Sequence, residues 1–186
     1  MNNPFHPFNP PKLDCELVPS PLWYNNLRKM LTKSRWDAIR KACYIRAGHT
    51  CEICGDLRGK PPEAHEIWSY DDRSLVQKLE GVISLCFKCH RVKHIGQAMT
   101  QGPYQFKSAF AHMAEVNEWP PELAAEYVQR QFQIHQIRSR QDWAQDLRWL
   151  DDAQSYIDNA EAYARDNRSE LQQRTLDAMR SHDAKR

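Results

Sequence analysis

Cys86-Phe87-Lys88-Cys89-His90-Arg91-Val92-Lys93-His94 joins a Cys-x-x-Cys turn to two histidines four residues apart. A second turn of the same kind, Cys51-Glu52-Ile53-Cys54-Gly55, lies upstream, with 31 residues between the two pairs. Each tight turn directs two thiolates at one point, and zinc favours four such ligands in a tetrahedron. Cys51, Cys54, Cys86 and Cys89 are therefore expected to bind one Zn2+ ion. Four thiolates leave no open coordination position, so this zinc is structural: it folds its surroundings and does no chemistry. The competing reading is a pair of disulfides, which a reducing compartment disfavours. The separation of the pairs exceeds that of an ordinary zinc ribbon. The pairs must enclose a hairpin rather than a single loop.

The residues between the pairs fit that demand. Glu63-Ala64-His65-Glu66-Ile67-Trp68-Ser69-Tyr70 alternates as a strand does, so His65 and Ile67 share one face while Glu66 and Trp68 share the other. A polar loop with Asp71, Asp72 and Arg73 follows. Leu75, Val76, Leu79, Val82, Ile83 and Leu85 then supply apolar packing up to Cys86. The stretch from Cys86 to Ile95 is expected to open a short helix on which His90 and His94 stand one turn apart.

Upstream, Ser34 is the expected N-cap of a helix with Trp36, Ile39, Cys43 and Ala47 on one face, ending at Gly48. Six of the eleven prolines fall within the first 21 residues, which predicts an extended arm over 1–27. Downstream of Gly102-Pro103, one helix carries Phe106, Phe110 and Met113 and ends at Trp119-Pro120. Pro121 fits the first turn of the next, with Leu123, Tyr127 and Ile134 as core candidates. Trp143, Leu147, Leu150 and Ile157 continue a helical period, and the polar end beyond about Ala164 is expected to fray. The expected class is α+β: a small zinc-stapled module over 28–100, embedded in a mostly helical chain whose helical C-terminal region covers 101–186. There is no internal repeat. Cys15 and Cys43 are left over, and Cys43 falls on the apolar helix face.

Composition is ordinary for a globular protein, with 41% hydrophobic and 27% charged residues. No apolar run is long enough to cross a membrane, and the first residues lack a secretory pattern, so a cytoplasmic location is expected. The net charge of +2 hides an asymmetry: Arg28 to Arg46 holds seven basic residues against Asp37 alone. Arg28, Lys29, Lys33, Arg35, Arg40 and Lys41 are therefore candidates to grip phosphates. A merely solvated helix face accounts for the same residues.

The zinc turns should seat His65 beside His90 and His94. Convergent imidazoles can hold a second, catalytic metal, or one can act as a base beside it. Each residue also has a plainer use: His90 bonding the zinc shell, His94 at the surface, His65 packing within the hairpin. Cys51-x-x-Cys54, Glu63-Ala64-His65-Glu66-Ile67 and Leu85-Cys86-x-x-Cys89-His90 with Lys93 together resemble the zinc-containing HNH endonuclease family over residues 48–96. More loosely, the flanking residues Pro21-Leu22-Trp23 and Lys93-His94-Ile95-Gly96 resemble uncharacterised bacterial and phage HNH-like proteins. The resemblance implies a ββα-metal, treble-clef-like module in which two strands and a helix surround a divalent cation. It implies that His65 is the general base and His90 a metal ligand, with Mg2+, Mn2+ or Ni2+ as the catalytic ion. Two positions depart from that pattern. Ala64 stands where an acidic or histidine ligand is usual, and Gly81 stands near the middle asparagine. Either His65, His90 and His94 hold the metal together, or the site is inactive.

Two functions follow as expectations. The first is metal-dependent hydrolysis of nucleic-acid phosphodiesters. The second is a catalytically inactive binding module that contacts a protein or nucleic-acid partner, for example as a phage or mobile-element inhibitor of host machinery. Trp23, Tyr24, Trp68 and Tyr70 are candidate anchors for such a partner.

Overall fold

The computed structural model describes residues 10–56, 61–171 and 173. In chain order the elements are a 3-10 turn at Ser20–Leu22, α1 (Leu27–Met30), α2 (Lys33–Arg46), β1 (Glu63–Asp71), β2 (Val76–Leu85), α3 (Phe87–Lys93), α4 (Ile95–Thr100), α5 (Pro103–Asn117), α6 (Pro121–Arg138), β3 (Ala144–Asp146), a second 3-10 turn at Arg148–Asp151, and α7 (Ala153–Asp166). The class is mixed α+β with a small three-stranded sheet in the order β1-β2-β3. Among the described residues no helix is long and apolar enough to cross a membrane. The first nine residues of the expected arm, the loop 57–60 and the tail beyond 173 lie outside the described residues.

Two units emerge among the described residues, and neither follows simple chain order: 24–87 with 143–171, and 10–23 with 88–142. In the first, β1 and β2 form an antiparallel hairpin in which His65 lies opposite Ile83 and Ile67 opposite Gly81. Asp71 closes the turn by accepting hydrogen bonds from the Arg73 and Ser74 backbones and the Ser74 hydroxyl. Those bonds hold its carboxyl below the usual range, the Ser74 hydroxyl being the largest cause. Trp68 faces Leu79, so Glu80 is an extra residue on β2 and the ladder shifts there. The bulge explains how Leu79 and Val82, three residues apart, enter one core, which a regular pleat would forbid. Gly81, at φ +150°, supplies a backbone conformation that other residues rarely adopt.

That core gathers Leu27, Trp36, Ile39, Cys43, Leu79, Val82 and Ala153, with Ala64, Trp68, Leu147, Leu150 and Ile157 packed around it. Burying each large side chain contributes roughly 1.5–3 kcal/mol. The apolar face of α2 is thus the one its spacing predicts. Its cap is not: Thr32, rather than Ser34, accepts the Arg35 amide. Both are good capping residues, and the helix begins two residues earlier than the apolar period alone implies. The expected helix through Trp143 and Leu150 is also corrected. Residues 144–146 form β3, which pairs parallel with β2 at Val76–Lys78. The Asp146 carboxylate accepts from the Arg148 backbone as the chain enters the following 3-10 turn. Buried Gln77 supports the junction: it donates to the Tyr70 hydroxyl at 2.9 Å and accepts from Gln145 at 2.7 Å.

In the second unit the arm from residue 10 is pinned. Leu13 is fully buried, and its amide and carbonyl both bond the side chain of Asn117 on α5. Glu16 donates its amide to Lys93, whose ammonium pairs with Asp14. Cys15 is buried, which pushes its thiol up to about 12 with help from Asp14. On α5 the buried face is Ala109, Met113 and Asn117, while Phe106 and Phe110 are half-buried and stack on each other. On α6, Pro121 starts the helix as expected, and Tyr127 is buried with its ring 5.2 Å from that of Trp119.

Candidate metal centre

The chain builds the first cysteine turn with backbone bonds. Gly55, at φ +70°, returns its amide to the Cys51 carbonyl, and the Cys51 amide reaches Asp56. That left-handed conformation is what glycine supplies at little cost. Glu52, between the two cysteines, anchors the turn. Its amide donates to the Ser84 carbonyl and its carboxylate accepts the Ser84 amide at 2.7 Å. Arg46, in the last turn of α2, donates to both carboxylate oxygens at 2.8 Å and to the Val82 carbonyl. The Ser84 hydroxyl donates to the Thr50 carbonyl. The turn is thereby clasped to the end of β2, two residues before Cys86. Cys89 follows one helical turn later on α3.

The result is a group of four sulfur atoms, Cys51, Cys54, Cys86 and Cys89, all within 4.8 Å of one another. Cys54 and Cys86 are 3.6 Å apart. A disulfide needs about 2.05 Å, whereas a tetrahedron with zinc–sulfur bonds of 2.3 Å places its sulfurs roughly 3.8 Å apart. None of the six cysteines is joined in a disulfide. The donor set therefore fits a metal ion such as zinc and excludes the disulfide pairing. Cys51 and Cys89 are buried while Cys54 and Cys86 are half-buried.

The histidines converge as well. His65 on β1, His90 on α3 and His94 just beyond it present ring nitrogens within 4.8 Å of one another. His65 is buried, and the rings of His90 and His94 meet edge to face at 4.7 Å. Ala64, on the other face of β1, packs on the core. The group contains three imidazoles and no carboxylate. No family model matches the chain, and no curated protein or solved structure matches it either.

The basic helix is less bare than its letters suggest. Lys33 and Arg40 both pair with Asp37, holding its carboxyl down near 2, with the Lys33 contact the larger cause. Arg35 donates to the Leu150 carbonyl. Among the described residues no carboxylate pairs with Arg28, Lys29 or Lys41, and Lys29 lies over the Tyr24 ring. Trp23 and Tyr24 are exposed, whereas Trp68 and Tyr70 are half-buried.

Sequence reasoning missed the Arg46–Glu52–Ser84 clasp and one further contact, that of His112 with Cys89. A carboxylate inside the Cys-x-x-Cys turn was a usable signal for the first. Nothing in the spacing pointed to the second.

Proposed function

We propose that the chain is an HNH-like, metal-dependent phosphodiesterase acting on nucleic acid, with His65, His90 and His94 as the ligands of a second ion. The convergence of these three imidazoles beside the four-thiolate group carries the reading. Ala64 packs on the core away from His65, which favours a three-histidine ligand set over one that borrows an acidic neighbour. His65 then serves as ligand rather than as base.

Three neutral imidazoles suit a borderline ion such as Ni2+, while Mg2+ prefers carboxylate and water oxygens. Such an ion would polarise the phosphate and lower the pKa of water. Arg28, Lys29 and Lys41 are cations left to meet a phosphate backbone, giving salt-sensitive and largely sequence-independent affinity.

The test is plasmid cleavage with Mg2+, Mn2+ or Ni2+ beside a His65→Ala, His90→Ala variant. Cleavage strongest with Ni2+ and absent from the variant supports the reading. No cleavage with any ion, together with a stable complex with a protein partner, transfers the chain to the inactive binding module.

A further inference from the structure

We propose that His112 donates its Nε2–H to the Cys89 thiolate and thereby sets how firmly the four-cysteine centre keeps its metal. The inference rests on the four-thiolate centre and extends it to a residue that holds the metal through a sulfur rather than directly.

Nε2 of His112 lies 3.3 Å from Cys89 Sγ, within hydrogen-bonding reach of sulfur. Both groups are shielded from water: Cys89 is fully buried and the His112 side chain is 11% exposed. His112 stands outside the donors that lie within 4.8 Å of one another, so it is a neighbour of the centre and not a fifth ligand. Its other nitrogen, Nδ1, faces the exposed carboxylate of Glu115 at 3.7 Å, one turn along α5.

The chemistry follows from charge. Four thiolates around a divalent ion leave the cluster with two excess negative charges. A buried thiolate that carries part of that excess is stabilised by a donor, and water cannot easily supply one here. An imidazole N–H does so without competing for the metal. It draws electron density from the sulfur, steadies the Cys89 side chain against α5, and raises the barrier to releasing that ligand. His112 is therefore a positioning residue. The contact also makes α5 report on the metal, because the helix loses a polar partner when Cys89 is released.

Two variants separate the donor from the shape. His112→Phe fills similar space without an N–H, and His112→Gln keeps a donor. Each is loaded with Co2+ for spectroscopy and with Zn2+ for transfer to a chelator. The wild type is expected to bind one equivalent on sulfur, with a four-sulfur tetrahedral cobalt spectrum. His112→Phe is expected to keep that stoichiometry but release zinc at least about tenfold faster. Its sulfur-to-cobalt charge-transfer band should move to lower energy, since the sulfur lone pairs lose a stabilising donor. His112→Gln should fall between the two. A Phe variant with the wild-type band and release rate overturns the inference while leaving the four-cysteine centre standing. Equal release from both variants without any band shift assigns His112 to packing alone and also overturns it. A wild-type protein that takes up no cobalt on sulfur removes the centre itself, and that result is visible before any variant is made.

Discussion

The thiolate group and the imidazole group are held in different ways. The thiolates sit in a braced frame: a glycine turn, the Glu52 carboxylate shared between Arg46 and Ser84, and the Ser84 hydroxyl on Thr50. The imidazoles come from the middle of β1, from α3 and from the residue just after it. The first set is closed and redundant, as suits a metal that holds a fold together. The second offers three donors, all imidazoles.

Removing the thiolates should break that comparison most severely. Cys51→Ser with Cys86→Ser should take bound zinc from one equivalent to none and abolish cooperative thermal melting, because a structural zinc contributes on the order of 10 kcal/mol. By contrast, His65→Ala, His90→Ala and His94→Ala together should keep one equivalent of zinc and most of the melting temperature. Loss of the structural zinc from that triple variant would show that the clusters are not separate.

Leu79→Ala comes next. It empties a fully buried position opposite Trp68 beneath the strand pair that carries His65. Denaturant unfolding should register a loss of about 2–5 kcal/mol. Glu52→Gln should cost less, about 1–2 kcal/mol, since its bonds are charge-assisted but partly solvated. Its sharper effect should be faster zinc loss to a chelator, with no change in metal binding at the three histidines.

The smallest effect is alkaline. Burial, the largest cause in each case, raises the Cys15 thiol from 9.0 to about 12 and the Cys43 thiol from 9.0 to about 11. Above pH 9 the unfolded chain releases these protons and the folded chain retains them, so the unfolded state gains. Their stabilising contribution is full below pH 9 and declines as pH rises through about 11 and then about 12. Denaturation midpoints taken stepwise from pH 8 should fall more steeply for the wild type than for Cys15→Ala, Cys43→Ala.

Much of this was legible from local chemistry. Four cysteines in two tight turns announce a metal whatever lies between them, and strand alternation put His65 and Ala64 on opposite faces. The apolar period of α2 found Trp36, Ile39 and Cys43. What escaped depends on partners distant in sequence. β3 is three residues long and polar, and only pairing with β2 and the bond from Gln145 to Gln77 define it. Its apolar neighbours Leu147 and Leu150 do reach the core, but from a turn rather than a helix. The seat of the extended arm was not legible because Leu13 finds its partner at Asn117, more than a hundred residues on. Gly81 departs from the HNH pattern at a position where the bulge calls for a backbone that favours glycine. His112 carries no local signal at all, since a helix period says nothing of which sulfur its residues meet.

X-ray absorption at the zinc edge of the purified chain tests the central claim most directly. One zinc per chain, ringed by four sulfurs at about 2.3 Å, is the predicted spectrum, and it should survive replacement of His65, His90 and His94. A metal-free protein, or zinc bound mainly by nitrogen and oxygen, would contradict it.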